Sequence, residues 1–384
     1  MRYLQIEEEF LIQRGARWTA REISQQPGSW ERTQELLNER ERAINAFVQP
    51  LLARTNLRIV LTGAGSSAYI GQGIAPALLR ALDRRVEAIA NTDIVSRPTE
   101  YLQKDVPTLL VSFGRSGNSP ESLAAVELVS EHVNEAFHLV LTCNADGELH
   151  RSCAGRKDSL VVLLPEETHD NSFAMTSSFS SMLYAALTIF LGIRERAKML
   201  PRIAAAGAAV IEGFNTSLRT MAEGDHERVV YLGSGGFTGL ANEAALKLLE
   251  LTDGRIPAIA QSSLGFRHGP KSFLNSSTLV VVLLSNDSLT RRYDLDLLRE
   301  IRNEGVAADV LAITAKADDD ALGGQHILVP GLNDADDMDL ALPFIVCAQL
   351  YAFHRSLRVG NSPDNPSKSG TVNRVVRGVT IHTH

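Results

Sequence analysis

Short, continuously apolar and β-branched runs recur along this chain, and each is closed by glycine or small polar residues before a helical pattern begins. The stretches "LRIVLTGAGSSAYIGQGIAPALLRAL" (57–82) and "RVVYLGSGGFTGLANEAALKLLEL" (228–251) set Gly63 and Gly233 in equivalent places. The match continues in order: "TLLVSFGRSGNSPESLAAVELV" with "TLVVVLLSNDSLTRRYDLDLLREI", "HLVLTCNADGELH" with "DVLAITAKADDDA", and "LVVLLPEE" with "QHILVPGL". A long apolar helix then closes each half, "SSFSSMLYAALTIFLGI" in one and "DLALPFIVCAQLYAFHRSLRVG" in the other. Runs that are apolar at every position, rather than at alternate ones, mark strands covered on both faces. Four matched strands with helices between them predict two tandem copies of one α/β domain. Each copy is expected to be a parallel sheet flanked by helices, a flavodoxin-like three-layer α/β/α arrangement.

The expected division is a helical segment over 1–44, domains over 45–200 and 201–360, and a lid or tail over 361–384 rich in Pro, Ser and Asn. Thr19 and Glu22 have capping-box spacing, and 201–225 reads as helix joining the halves.

Composition narrows the function. The 384 residues are 44% hydrophobic and 22% charged, as in ordinary globular proteins. Net charge is −7 and no Lys/Arg cluster stands out, which argues against nucleic-acid and acidic-membrane partners. Three cysteines without metal-like spacing suit a reducing compartment, and the N-terminus has no signal-peptide core, so a cytoplasmic protein is expected. No apolar run approaches the ~20 residues that span a bilayer. The terminal His382–His384 pair reads as tail rather than metal site, and neither metal nor cofactor is expected.

The candidate chemistry begins where strands hand over to helices. The turns Gly63–Ser67 and Gly114–Ser119 offer backbone N–H groups and the hydroxyls of Ser66, Ser67, Ser116 and Ser119 around Gly117, with Arg115 as a possible cation and no acid inside either turn. That combination suits a phosphate monoester at helix N-termini. Rival motifs fail on single letters: Pro270 stands where "GFRHGPKS" would need the P-loop glycine, and Asn118 breaks a nucleophile elbow. A G-x-G-x-x-A fingerprint at Gly63, Gly65 and Ala68 lacks a clear ribose-binding acid. In the second half, Glu243, Lys247 and Glu250 fall on neighbouring helical positions, and Arg267-His268 is pinned between Gly265 and Gly269-Pro270. A carboxylate and a histidine at one site are what aldose–ketose proton transfer needs. His169-Asp170 reads as a loop near the site. The counterpart of the phosphate turn, "LLSNDSLTRRYD", has Asp287 in place of glycine and would repel an anion, so one phosphate site per chain is expected, built by the first half.

Together "SFGRSGNSPES", "GAGSS", "NEAALKLLEL", "GFRHGPKS" and "PSKSGTV" resemble the sugar isomerase (SIS) domain family, over roughly residues 45 to 375. The last three are similar to the isomerase half of glucosamine-6-phosphate synthase. A narrower resemblance, through "ETHDNSFAMTSS" and "SGTVNRVV", is to the double-SIS galactosamine-6-phosphate deaminase/isomerases, also labelled tagatose-6-phosphate ketose/aldose isomerases. The resemblance implies phosphate binding by Ser116, Ser119 and the amides of Arg115 and Gly117, with Ser66 and Ser67 on phosphate or sugar hydroxyls. It implies Glu250 as the C2–C1 proton shuttle, His268 as the ring-opening group, Lys247 beside the open-chain oxygen, and Lys368 in a C-terminal lid. It further implies a homodimer or higher homo-oligomer with shared sites, His268 coming from a neighbouring subunit. The synthase's glutaminase domain has no counterpart here, which favours deamination. A ketose/aldose isomerase, a glucosamine-6-phosphate deaminase and a phosphosugar-sensing regulator remain alternatives.

Overall fold

The structure, a computed structural model, describes residues 1–376 and 378–382; His384 of the terminal pair lies outside them. Beyond a small antiparallel ribbon of β1 (Arg2–Tyr3) and β2 (Ile6–Glu7), the strands form two five-stranded sheets. The first holds β3 (Arg58–Thr62), β4 (Arg85–Ala88), β5 (Thr108–Gly114), β6 (Ala136–Thr142) and β7 (Ser159–Leu163) in the order β4-β3-β5-β6-β7. The second holds β8 (Arg228–Gly233), β9 (Ala258–Gln261), β10 (Thr278–Leu283), β11 (Asp309–Thr314) and β12 (His326–Leu328) in the order β12-β11-β10-β8-β9. Every neighbouring pair in both sheets is parallel. Read from the edge, each sheet runs second, first, third, fourth, fifth strand, the flavodoxin-like order. Register carries the repeat to single residues: Arg58 pairs with Thr108 as Arg228 pairs with Thr278.

Two strands per sheet pair are absent from the sequence pattern. The edge strands β4 and β9 read RVEA and AIAQ, four residues each and only partly covered, so they lack the continuous apolar signal of the central strands. The central strands β3, β5, β8 and β10 are buried or nearly so along their length.

The chain folds as two compact units assembled from separated segments. One, the second-sheet unit, gathers Met1–Pro27, Asn171–Thr176 and Met199–Ser369; the other, the first-sheet unit, gathers Gly28–Asp170, Ser177–Lys198 and the chain from Gly370. The expected capping box at Thr19 does not form. Helix Arg17–Ser24 has Ala16 at its N-cap, with Thr19 inside it. The cap comes instead from Asp364, whose carboxylate accepts from Trp18 N (3.0 Å), Thr19 N (2.8 Å) and Thr19 Oγ1 (2.8 Å). Glu22 is buried and accepts from Asn171 N (2.5 Å) and the Ser172 hydroxyl.

The membrane expectation also needs correcting in one place. Helix Asp337–Arg358, 22 residues, is long and apolar enough to cross a membrane by length and composition, but 94% of its apolar window is buried inside the protein. It is a core helix, packed against Phe237–Thr252.

Candidate active site

In the first-sheet unit the chain leaves β3 toward β4 on one side and later enters β5 on the other, so a crevice opens at the carboxyl ends of β3 and β5. Both glycine turns lie there. A Cβ at Gly63 would overlap Ser67, and Gly65 takes φ +54°, so small residues are required where the chain turns into helix Ser66–Leu82. Gly117 takes φ +63° in the second turn, which leads into helix Pro120–His132. Its backbone is tied down from the β6 side: Thr142 Oγ1 donates to Gly114 O (2.7 Å), Asn144 Nδ2 to Ser116 O (2.8 Å) and Leu149 N to Gly117 O (2.8 Å). With these carbonyls engaged, the turn is a rigid frame at the positive ends of two helices.

Ser66 and Ser67 are buried, while Ser116 and Ser119 are half-buried. Ser119 Oγ donates to Glu121 at 2.5 Å, a carboxylate just beyond the turn that the sequence reading did not weigh. A phosphate would take that hydroxyl from Glu121. Ser119→Ala is expected to weaken phosphate binding by about 10-fold or more, the worth of one hydrogen bond to a charged group (about 1.5–3 kcal/mol). Titration calorimetry with inorganic phosphate checks this, and an unchanged affinity would remove Ser119 from the cradle.

Arg115 is buried and directed to the C-terminal segment: Nη2 donates to Arg374 O (2.9 Å), and Arg374 Nε donates to Asp170 O (3.0 Å). The adjacent Asp170 carboxylate accepts from Ser178 N (2.9 Å) and from the hydroxyls of Ser177 and Ser178. Burial, then the Arg374 and Arg115 guanidiniums, hold His169 below its ordinary pKa. Arg374 lies where the chain has left the repeat, inside the "SGTVNRVV" stretch that carries the narrower resemblance, and no spacing there gives it a role of its own.

The same crevice in the second-sheet unit is occupied by the protein itself. Gly236 and Phe237 stand at the positions of Ser66 and Ser67, and Phe237 packs against Phe344 with ring centroids 5.4 Å apart. Asp294 accepts from Ser234 Oγ (2.6 Å), Ser263 Oγ (2.6 Å) and Ser285 N (3.2 Å). Asp337 accepts from Ser285 Oγ (2.6 Å) and Asn286 N (2.7 Å), and Asp287 caps helix Ser288–Glu304 through Thr290 N (2.9 Å). Burial pushes the Asp294 and Asp337 carboxyls up, against the pull of these donors. Donors that a phosphate would use are already engaged by carboxylates.

Glu243, Lys247 and Glu250 lie on helix Phe237–Thr252, and they are not a solvated stripe. Glu243 and Lys247 are fully buried, and only Glu250 reaches the surface, its side chain 23% exposed. The Lys247 ammonium bonds to Glu250 and stands 3.5 Å from Glu243, so one cation serves two carboxylates. Ser356 and Asn361 fix the end of this helix through Leu251 O. Lys368, in the same unit, is exposed, its backbone N–H on Pro366 O (3.2 Å).

His268 is exposed on the β9–β10 connection, which turns at Gly269 with φ +117°. Its neighbours brace the loop: Arg267 Nε donates to Glu300 (2.8 Å), and Lys271 reaches Glu300 and Glu304. The Lys271 hydrogen bond, with burial opposing, holds the Glu300 carboxyl below its usual range. Phe266 of this connection packs with Val230, Val280 and Leu298 on the sheet face that carries helix Ser288–Glu304. Helix Phe237–Thr252 packs with Asp337–Arg358 on the other face, as right-handed crossovers in opposite directions require. Within this unit the sheet therefore separates His268 from Glu250.

Residues 51–192, spanning all of the first sheet, match the SIS domain family. The chain is 46% identical over 370 residues, 95% of each chain, to D-galactosamine-6-phosphate deaminase AgaS of Escherichia coli O157:H7. It is 44% identical over 382 residues to the AgaS deaminase of Shewanella sp. (strain ANA-3), covering 99% of this chain and 95% of that one. Among solved structures, tagatose-6-phosphate ketose/aldose isomerase from Escherichia coli superimposes with a TM-score of 0.89 at 43% identity, over 95% of this chain and 96% of that one. With whole-length identity of this order and the duplicated sheet in place, the chain belongs to the AgaS family of SIS-domain proteins.

Proposed function

We propose that this protein is an amino-sugar-phosphate deaminase/isomerase that converts D-galactosamine 6-phosphate and water to D-tagatose 6-phosphate and ammonia. The observation that carries the reading is its whole-length likeness to proteins named D-galactosamine-6-phosphate deaminase. The cradle Ser66, Ser67 and Arg115–Ser119 anchors the phosphate. His268 opens the ring, Glu250 moves the C2 proton to C1, and the resulting C2 imine adds water and releases ammonia. Lys247, enclosed between its two carboxylates, sets the position and charge of Glu250, and Lys368 closes over the site. Phosphate binding far from the reacting carbons lets remote contacts serve the orientation of C1 and C2. The scheme uses no cofactor or metal. Three free, buried cysteines support a cytoplasmic setting.

Ammonia release from galactosamine 6-phosphate, compared with glucosamine 6-phosphate, tests the proposal. Release from the galacto epimer supports it, and preferential release from the gluco epimer replaces the substrate. Interconversion of tagatose 6-phosphate with its aldose and no ammonia from either amine would favour the isomerase reading, which the name of the solved Escherichia coli relative supports.

His268 and Glu250 lie on opposite faces of one sheet, which supports a homo-oligomer in which His268 serves the site of a second copy. Mixing refolded Glu250→Gln and His268→Asn chains is then expected to restore up to about a quarter of wild-type activity, since half of randomly paired dimers carry one intact site. No recovery from a mixture shown to exchange subunits would place His268 in the site of its own chain.

A further inference from the structure

The C-terminal segment from Gly370 belongs to the first-sheet unit and is mostly exposed up to Val376, with Arg374 and Val375 half-buried. Arg374 faces two ways. Its backbone carbonyl receives Nη2 of Arg115, the buried residue that opens the cradle turn, at 2.9 Å. Its own guanidinium donates through Nε (3.0 Å) and Nη2 to the Asp170 carbonyl. Asp170 is in turn immobile, its carboxylate held by Ser177 and Ser178 at the start of helix Ser177–Leu191. The chain of contacts thus runs from a fixed helix start, through Arg374, to the cradle arginine.

We propose that Arg374 is a positioning residue for the phosphosugar: anchored on Asp170, its carbonyl orients the guanidinium of Arg115, the residue that precedes Ser116 in the turn, which couples docking of the C-terminal segment to phosphate in the cradle. The inference rests on the phosphate role given to the cradle above. A guanidinium carries its N–H donors in a fixed fork, so seating Nη2 on a carbonyl sets the plane of the group and restricts the side chain's freedom. Orienting a long side chain before the ligand arrives removes part of the ordering cost from binding. Two guanidiniums in one junction also make the region favourable for a dianion, and His169, whose buried Nε2 has no partner among the described residues, responds to both. Coupling is reciprocal: if the docked segment improves phosphate affinity, phosphate must improve docking by the same factor.

A double-mutant cycle tests this. Arg374→Ala is expected to raise KM for the phosphosugar and the dissociation constant for inorganic phosphate by about 10-fold, the worth of one oriented charge-assisted contact, with kcat much less affected. In an Arg115→Ala background the same change should have little further effect, because Arg374 acts through Arg115. Arg374→Lys, which keeps one donor for Asp170, should recover part of the loss. Inorganic phosphate should protect the segment beyond Gly370 from limited proteolysis in the wild type but not in Arg115→Ala. Equal loss of affinity in both backgrounds, or no phosphate protection in a wild type that binds phosphate, overturns the proposal. Calorimetry and proteolysis use phosphate alone. A protein that binds phosphate at the cradle yet releases no ammonia would therefore sink the deaminase reading while leaving this one standing, and failure to bind phosphate at all would sink both.

Discussion

Glu250→Gln is expected to leave phosphosugar binding near wild type and to cut turnover by roughly 10²–10⁴-fold, the range that a positioned general base supplies. The surroundings of Glu250 make the substitution clean. Glutamine keeps the shape and can still accept from Lys247, but it has no basic carboxylate to take the C2 proton. Charge also stays matched, because Lys247 retains Glu243 at 3.5 Å when the second carboxylate is neutralised. Thermal stability should therefore hold, in contrast to Lys247→Met. That change strands a buried carboxylate and is expected to cost about 3–5 kcal/mol. Steady-state ammonia release, phosphosugar binding by calorimetry and a melting curve on Glu250→Gln separate these effects. Near-normal turnover would show that the proton is moved by some other group.

Acidification is expected to destabilise both units well before general acid unfolding. His138, on β6, is buried with Nε2 at 3.0 Å from Ser130 Oγ, and burial, helped by Arg156, depresses its pKa to about 4. His354, on the core helix Asp337–Arg358, bonds Asn215 Oδ1 at 2.7 Å and is also depressed to about 4, by burial and then by Arg219. Unfolded, both imidazoles regain the ordinary value of 6.5. Between those values the unfolded chain binds more protons than the folded one, so stability falls as pH drops from about 6.5 to about 4 and is insensitive to these groups above that window. Each histidine contributes a loss of about 3 kcal/mol across it. The raised carboxyls of Asp294 and Asp337 act oppositely near the acid end, since the folded state holds their protons more tightly. The decisive comparison is therefore urea unfolding of wild type against His138→Gln and His354→Gln at pH 7 and pH 5. Each variant should show a shallower loss, and a wild-type slope retained in both would exclude the histidines as its source.

The sequence carried the central strands and the glycine–serine turn after β5 well because both are local patterns: continuous apolar runs, then glycine and serine where a helix begins. The edge strands β4 and β9 escaped because partial cover removes the apolar signal from RVEA and AIAQ. The discontinuous units escaped for a different reason. What joins residues 1–27 to the second sheet is a set of long-range bonds, such as Asp364 to Thr19, and spacing along the chain does not encode them. The same applies to Lys247, whose stripe looks solvated on a helical wheel but which is fully buried in the fold. Asp287 was legible as a departure from the glycine of the first-half turn, whereas Asp294 and Asp337, which engage the donors, come from the following helix and from the start of the last core helix.

Those two carboxylates give the halves different responses to their surroundings. A ligand that is part of the chain has an effective concentration that dilution cannot lower. The crevice of the second sheet is thus permanently saturated, and its contribution to folding is the same in a phosphate-starved solution as in a replete one. With the phosphate role proposed for it, the crevice of the first sheet would fill by mass action, so its unit should gain stability with the logarithm of free phosphoester. One duplicated fold would then hold a constant half beside a half whose stability reports the substrate pool.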